Sequence, residues 1–247
     1  MAFTVSTYCP ELEAPAVPPE EDERSFDKNR YLTFIPGGAG TQTAIRVTLR
    51  DLPAPYAGLS GQQMWVGPPG PICENAGQST PPDETDPPTY GCGTSGSQYR
   101  AFQAANLQCA PHCADFGSIG LIHVADDEII PGAIYDVQVI NCLCDGGNEA
   151  NYCEPLAIRT PRWGDLVKDC TTVPCGAPDG IVNITADVTA VLDKFKNLPN
   201  CVIKSRADLE PSVPDWLVNI TDVTYCLDCF LGATFPPSGW TGLEGCP

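Results

Sequence analysis

Hydrophobic and polar positions alternate with a period of two over most of the first 160 residues. Ile45, Val47 and Leu49 are separated by Arg46, Thr48 and Arg50, the pattern of a strand with one face in a core. Residues 30–35, 62–66, 101–108, 119–124, 134–140 and 156–160 read as further strands, about seven in all. Turn residues separate them, and no helical period of useful length precedes residue 185. The pattern predicts a mainly β chain, an antiparallel sandwich, with a small α domain at its C-terminal end.

Three stretches lack either period. Residues 1–25 carry Pro10, Pro15, Pro18 and Pro19 and then four consecutive acids, so they are expected to form an extended arm that orders against a partner. Residues 67–98 are rich in Gly, Pro, Ser and Thr and contain Cys73 and Cys92. They are expected to be a long loop, either functional or tied down by its cysteines. Residues 236–247 form a short tail. The expected domains are therefore 26–162 for the sandwich and 163–235 for the helical unit.

The strongest signal is an internal repeat. The segment from Pro178 to Phe195 recurs from Pro214 to Phe230; with one gap at Ala186, 12 of 17 aligned positions are identical. Each copy places Asp, Asn and Asp ahead of an apolar helical stripe: Val188, Val191, Leu192 and Phe195 in one, Val223, Cys226, Leu227 and Phe230 in the other. Calcium takes six to eight oxygens, which a short acidic loop supplies from alternate positions and one main-chain carbonyl. Asp179, the Ile181 carbonyl, Asn183 and Asp187 fill those roles in the first unit, with Asp165 and Asp169 opening the loop. Asp215, the Leu217 carbonyl, Asn219 and Asp222 fill them in the second, with Asp208 and Glu210 opening it. Trp216 stands where the first loop has Gly180, and Ala186 adds a residue to the first loop. The same acids can alternatively cap the two helices, since Asp in a first turn stabilises a helix N-terminus. Cys170 and Cys175 are placed to staple the excursion that lengthens the first loop.

These loops resemble the dockerin domain, in which two calcium loops each precede one helix, as in an EF-hand without its incoming helix. The resemblance covers residues 163 to 235 and implies one or two bound calcium ions. Upstream, Ile130-Pro131-Gly132-Ala133-Ile134-Tyr135-Asp136-Val137-Gln138-Val139 resembles the late strand of fibronectin type III and Ig-like sandwiches. That likeness implies a tyrosine hydroxyl tying the corner to upstream backbone.

Charge and cysteines narrow the function. With 31 acidic and 13 basic residues, the net charge of −18 repels phosphate backbones and anionic lipid, so neither nucleic acid nor membrane insertion is expected. Eight of the acids belong to the two loops, and two calcium ions would bring −18 to −14. Fourteen cysteines in one chain point to disulfides and an extracellular or cell-surface location. No leader pattern of basic then apolar residues opens the chain, so it is expected to be a processed form or a part of a longer secreted protein. No nucleophile, zinc or nucleotide motif is present. His123 lies in a strand pattern, His112 sits between Cys109 and Cys113, and Asp126-Asp127-Glu128 is the densest acidic cluster for a hydrolase. The expectation is a non-catalytic structural or adhesive assembly subunit, whose arm links copies into a surface filament. One alternative is a module that docks on a cohesin-like receptor; a second is a secreted hydrolase with an unrecognised site.

Overall fold

The computed structural model describes residues 12–13, 31–53, 56–75, 99–125, 129–171, 175–176, 178–198, 202, 207–210 and 217–235. Among the described residues, ten strands build two five-stranded sheets. The strands are β1 (Leu12–Glu13), β2 (Tyr31–Pro36), β3 (Thr43–Asp51), β4 (Gln63–Val66), β5 (Gly70–Asn75), β6 (Tyr99–Ala105), β7 (Leu107–Gln108), β8 (Ile122–Ala125), β9 (Ile134–Asn141) and β10 (Leu156–Arg159). One sheet runs β1-β2-β8-β6-β5 and the other β10-β9-β3-β4-β7.

The alternation of the sequence becomes the inner face. Ile45, Val47 and Leu49 of β3, Tyr135, Val137 and Val139 of β9, Leu32 and Phe34 of β2, and Ile122 and Val124 of β8 are all buried in one cluster between the sheets. Each such side chain contributes about 1.5–3 kcal/mol by leaving water. On the outer face, Arg46 is buried under the loop that follows β9. Its guanidinium lies 3.6 Å from the Tyr152 ring centroid and binds both Glu149 carboxylate oxygens at 2.8 and 2.6 Å. The disulfide Cys113–Cys142 ties the same loop to the segment before β8.

At the corner before β9, the Ile130 N–H donates to the Tyr135 hydroxyl at 2.6 Å. The buried Thr160 hydroxyl donates to the Ile130 carbonyl at 2.7 Å and accepts from the Ala133 N–H at 3.0 Å. Main-chain groups that a turn would orphan are thus satisfied by two side chains.

Three expectations need correction. Residues 101–108 are not one strand: the chain breaks at Asn106, so β6 belongs to one sheet and β7 to the other. The sandwich is not wholly antiparallel, because β6 and β8 pair in parallel, Gln103 opposite Ile122. The chain visits the second sheet between them, which supplies the crossover that parallel pairing needs. Residues 67–98 are not wholly loop, since β5 pairs with β6 from Gly70 opposite Ala104 to Asn75 opposite Tyr99. Pro71 is tolerated there because β5 is an edge strand. Of the N-terminal arm, Leu12–Glu13 pair with Pro36 and Ile35 of the same chain.

A second cluster of buried residues lies beyond residue 160: Trp163, Leu166, Val167, Val182, Val191, Leu209, Tyr225, Cys226, Cys229 and Phe235 among them. It packs two short helices, α1 (Thr189–Phe195) and α2 (Ile220–Phe230). The Tyr56 hydroxyl donates to the Phe235 carbonyl, joining this cluster to the sandwich.

Candidate metal centre

The repeat is visible as two copies of one hydrogen-bond hub. Asp187 is fully buried; one carboxylate oxygen accepts from the Leu166 and Val167 N–H groups at 2.7 and 3.1 Å, the other from Asn183 N–H at 2.8 Å. Asp222, also fully buried, accepts from Leu209 and Glu210 at 2.7 and 3.0 Å and from Asn219 at 2.8 Å. The hubs keep Asp165 opposite Asp208, as the sequence repeat pairs them, but make Val167 and not Asp169 the counterpart of Glu210: Asp165-Leu166-Val167 corresponds to Asp208-Leu209-Glu210.

Ala186, the extra residue of the first copy, is absorbed locally. Residues Ile184–Val188 form a π turn, with the Val188 N–H reaching the Asn183 carbonyl at 3.3 Å, before α1 begins. The second copy enters α2 directly. One widened turn therefore returns Asp187 to the position that Asp222 reaches without it.

The loop geometry of the first copy centres on Asp165. This buried carboxylate accepts from Asp179 N–H at 3.2 Å and from Gly180 N–H at 2.6 Å, which folds the loop over it. Gly180 turns there with φ +91°, a region that Cβ-bearing residues avoid. Burial pushes the Asp165 carboxyl up to about 6 against the pull of those two N–H groups, and the Asp187 and Asp179 charges add to the rise. Burial likewise raises Asp187.

The remaining expected ligands are placed differently. Asp169 turns to Thr171, accepting from its hydroxyl at 2.7 Å and its N–H at 3.2 Å, which lowers its pKa. That contact sits in the excursion closed by the Cys170–Cys175 disulfide. Asn183 and Asn219 are helix N-caps, accepting from Ala186 and Thr221 N–H, each at 2.7 Å. Asp179 accepts from the Ile181 N–H at 3.0 Å. In the second copy Asp208 is buried and Glu210 half-buried, the Leu217 carbonyl lies 3.5 Å from Asn219 Nδ2, and Asp215 falls outside the described residues. The oxygens expected as calcium ligands thus include the ones that cap the helices.

By chemical type the first loop fits a hard cation: Asp165, Asp179, Asn183, Asp187 and the Ile181 carbonyl are all oxygen donors. Among the described residues no three His, Cys, Asp or Glu side chains gather as a metal-holding group. A cation here must therefore also draw on the Asn183 amide and the Ile181 carbonyl, and must loosen an N–H bond at Asp187 or Asp179.

The helices carry chemistry of their own. Cys226 and Cys229 are buried in α2 against Gly164, with the Cys226 thiol 3.6 Å from the Gly164 carbonyl; burial raises both thiols, Cys229 up to about 12. They are inert thiols at neutral pH. Elsewhere, His123 is buried with Nδ1 3.2 Å from the Thr33 hydroxyl, and the His112 ring meets Phe116 edge-on. Asp126-Asp127-Glu128 lie outside the described residues.

No protein-family model, curated protein or solved structure matches this chain. Among the described residues no helix is long and apolar enough to cross a membrane.

Proposed function

We propose that the protein is a non-catalytic extracellular assembly subunit in which a disulfide-tied β-sandwich carries a tandem, dockerin-like calcium unit. The observation that carries the calcium part is the buried Asp165 under its loop: burial pushes that carboxyl up to about 6, and the Asp187 and Asp179 charges add to the rise. Buried carboxylates of that kind are relieved by a divalent cation, which reverses the direction of the shift. The disulfides Cys113–Cys142 and Cys170–Cys175 support an oxidising exterior.

A second reading, docking of the tandem unit on a cohesin-like receptor, is favoured by the apolar residues that the repeat leaves in solvent as twins. Ile181 and Leu217 are each 62% exposed, Ile184 and Ile220 48% and 58%, and Phe195 and Phe230 42% and 41%. Duplicated exposed apolar side chains of this size suit a protein partner. Sedimentation of the purified chain with calcium, alone and titrated with a cohesin-type domain, separates the two. Self-association supports the subunit, a one-to-one complex supports docking, and a monomer indifferent to both removes each.

A further inference from the structure

Among the described residues, the edge of the first sheet at β2 is covered by β1 alone, opposite Ile35 and Pro36. Among the described residues, no strand lies on that side of residues 31–34. The connection from Glu13 to Tyr31 is residues 14–30, seventeen residues, where an antiparallel hairpin needs about 2–5. Glu13 faces Ile35, four residues or about 13 Å along β2 from Tyr31. Seventeen residues reach about 56 Å when extended.

We propose that β1 is exchangeable between copies: residues 12–13 of one chain add to the β2 edge of a second copy, linking chains arm to edge. This rests on the assembly-subunit reading and names its contact. The exchanged form makes the same main-chain hydrogen bonds as the closed form, so concentration decides between them. A connection of that length holds β1 near its own edge at an effective concentration on the order of 1 mM. Exchange therefore competes when copies are crowded to that level, as on a surface.

The test is light-scattering mass of the full chain, from about 10 µM to about 1 mM, set by that tether concentration. A double variant, Leu12→Pro with Glu13→Pro, removes both β1 N–H groups. The full chain is expected to at least double its mean mass at the top of the range while the variant stays monomeric with an unchanged melting curve. If the variant loses its melting curve, the wild-type chain answers instead: excess synthetic peptide spanning residues 10–15 must lower its mass. A full chain that stays monomeric overturns the exchange. So does an oligomer that survives both the prolines and the peptide, and that second result assigns association to the C-terminal unit, leaving the assembly reading intact.

Discussion

Replacing Asp187 by Ala tests the hub directly. The substitution leaves three N–H groups, those of Leu166, Val167 and Asn183, without their acceptor in a fully buried position. Hydrogen bonds to a charged group contribute about 1.5–3 kcal/mol each, but the variant also sheds the burial cost that raises this carboxyl. The net loss is then about 3–5 kcal/mol, as for breaking a buried charged network. In a chain of 247 residues that lowers the melting temperature by about 6–20 °C. Asp222→Ala removes the same three bonds from the second copy and should cost a like amount, whereas exposed Glu154→Ala should leave the curve in place. The measurement is urea or thermal unfolding with disulfides intact, in calcium and in chelator. Because the hub joins a carboxylate to main-chain N–H groups and needs no metal, the loss must persist in chelator. A loss below about 1 kcal/mol at either aspartate, or one that vanishes in chelator, would refute the hub.

Four further outcomes are expected. In chelator, Asp165 favours the protonated folded state: its folded pKa of about 6 exceeds the ordinary 3.8. That stabilisation is present below about pH 4 and lost as pH rises through 6, about 3 kcal/mol from a difference of 6 − 3.8. The stability of Asp165→Asn relative to wild type should therefore climb over that window, and a flat difference in unfolding free energy contradicts it. Tyr135→Phe removes the acceptor of a buried N–H and should cost about 1–3 kcal/mol in denaturant unfolding. Replacing Cys113 and Cys142 by Ser opens a 29-residue loop and should cost roughly 3.6 kcal/mol, read from the unfolding midpoint. Gly164→Ala sets a Cβ 2.6 Å from the Cys229 Cβ at φ +83°, so its melting curve should fall further than that of Gly180→Ala, which meets open space.

Much of the sandwich is legible because one face of each strand is buried, which forces alternation; β3 and β9 are the clearest examples. β5 escapes that rule: Gly70-Pro71-Ile72-Cys73-Glu74-Asn75 has no alternation and is held by the backbone of β6. The parallel β6 and β8 pair is invisible for a related reason, since periodicity reports which face is buried and not the direction of the neighbour. In the C-terminal unit, the repeat and the acids at Asp187 and Asp222 stand out in the sequence, but what those acids touch does not. Their partners are main-chain N–H groups, 20 and 21 residues away for Asp187, and any residue type supplies such a donor. The π turn at Ile184–Val188 shows the same limit. One inserted residue looks like a distortion in an alignment, and in three dimensions it is taken up within a single turn.

The calcium reading stands or falls on thermal unfolding of the full chain in excess calcium and in chelator. At a free calcium concentration of about 100 times the dissociation constant, one site stabilises the fold by about 2.7 kcal/mol. The melting temperature should then rise by about 5–11 °C over chelator, with Asp165→Asn losing most of the rise. Superimposed curves in calcium and chelator would contradict the account and leave the aspartates as helix caps and hub acceptors alone.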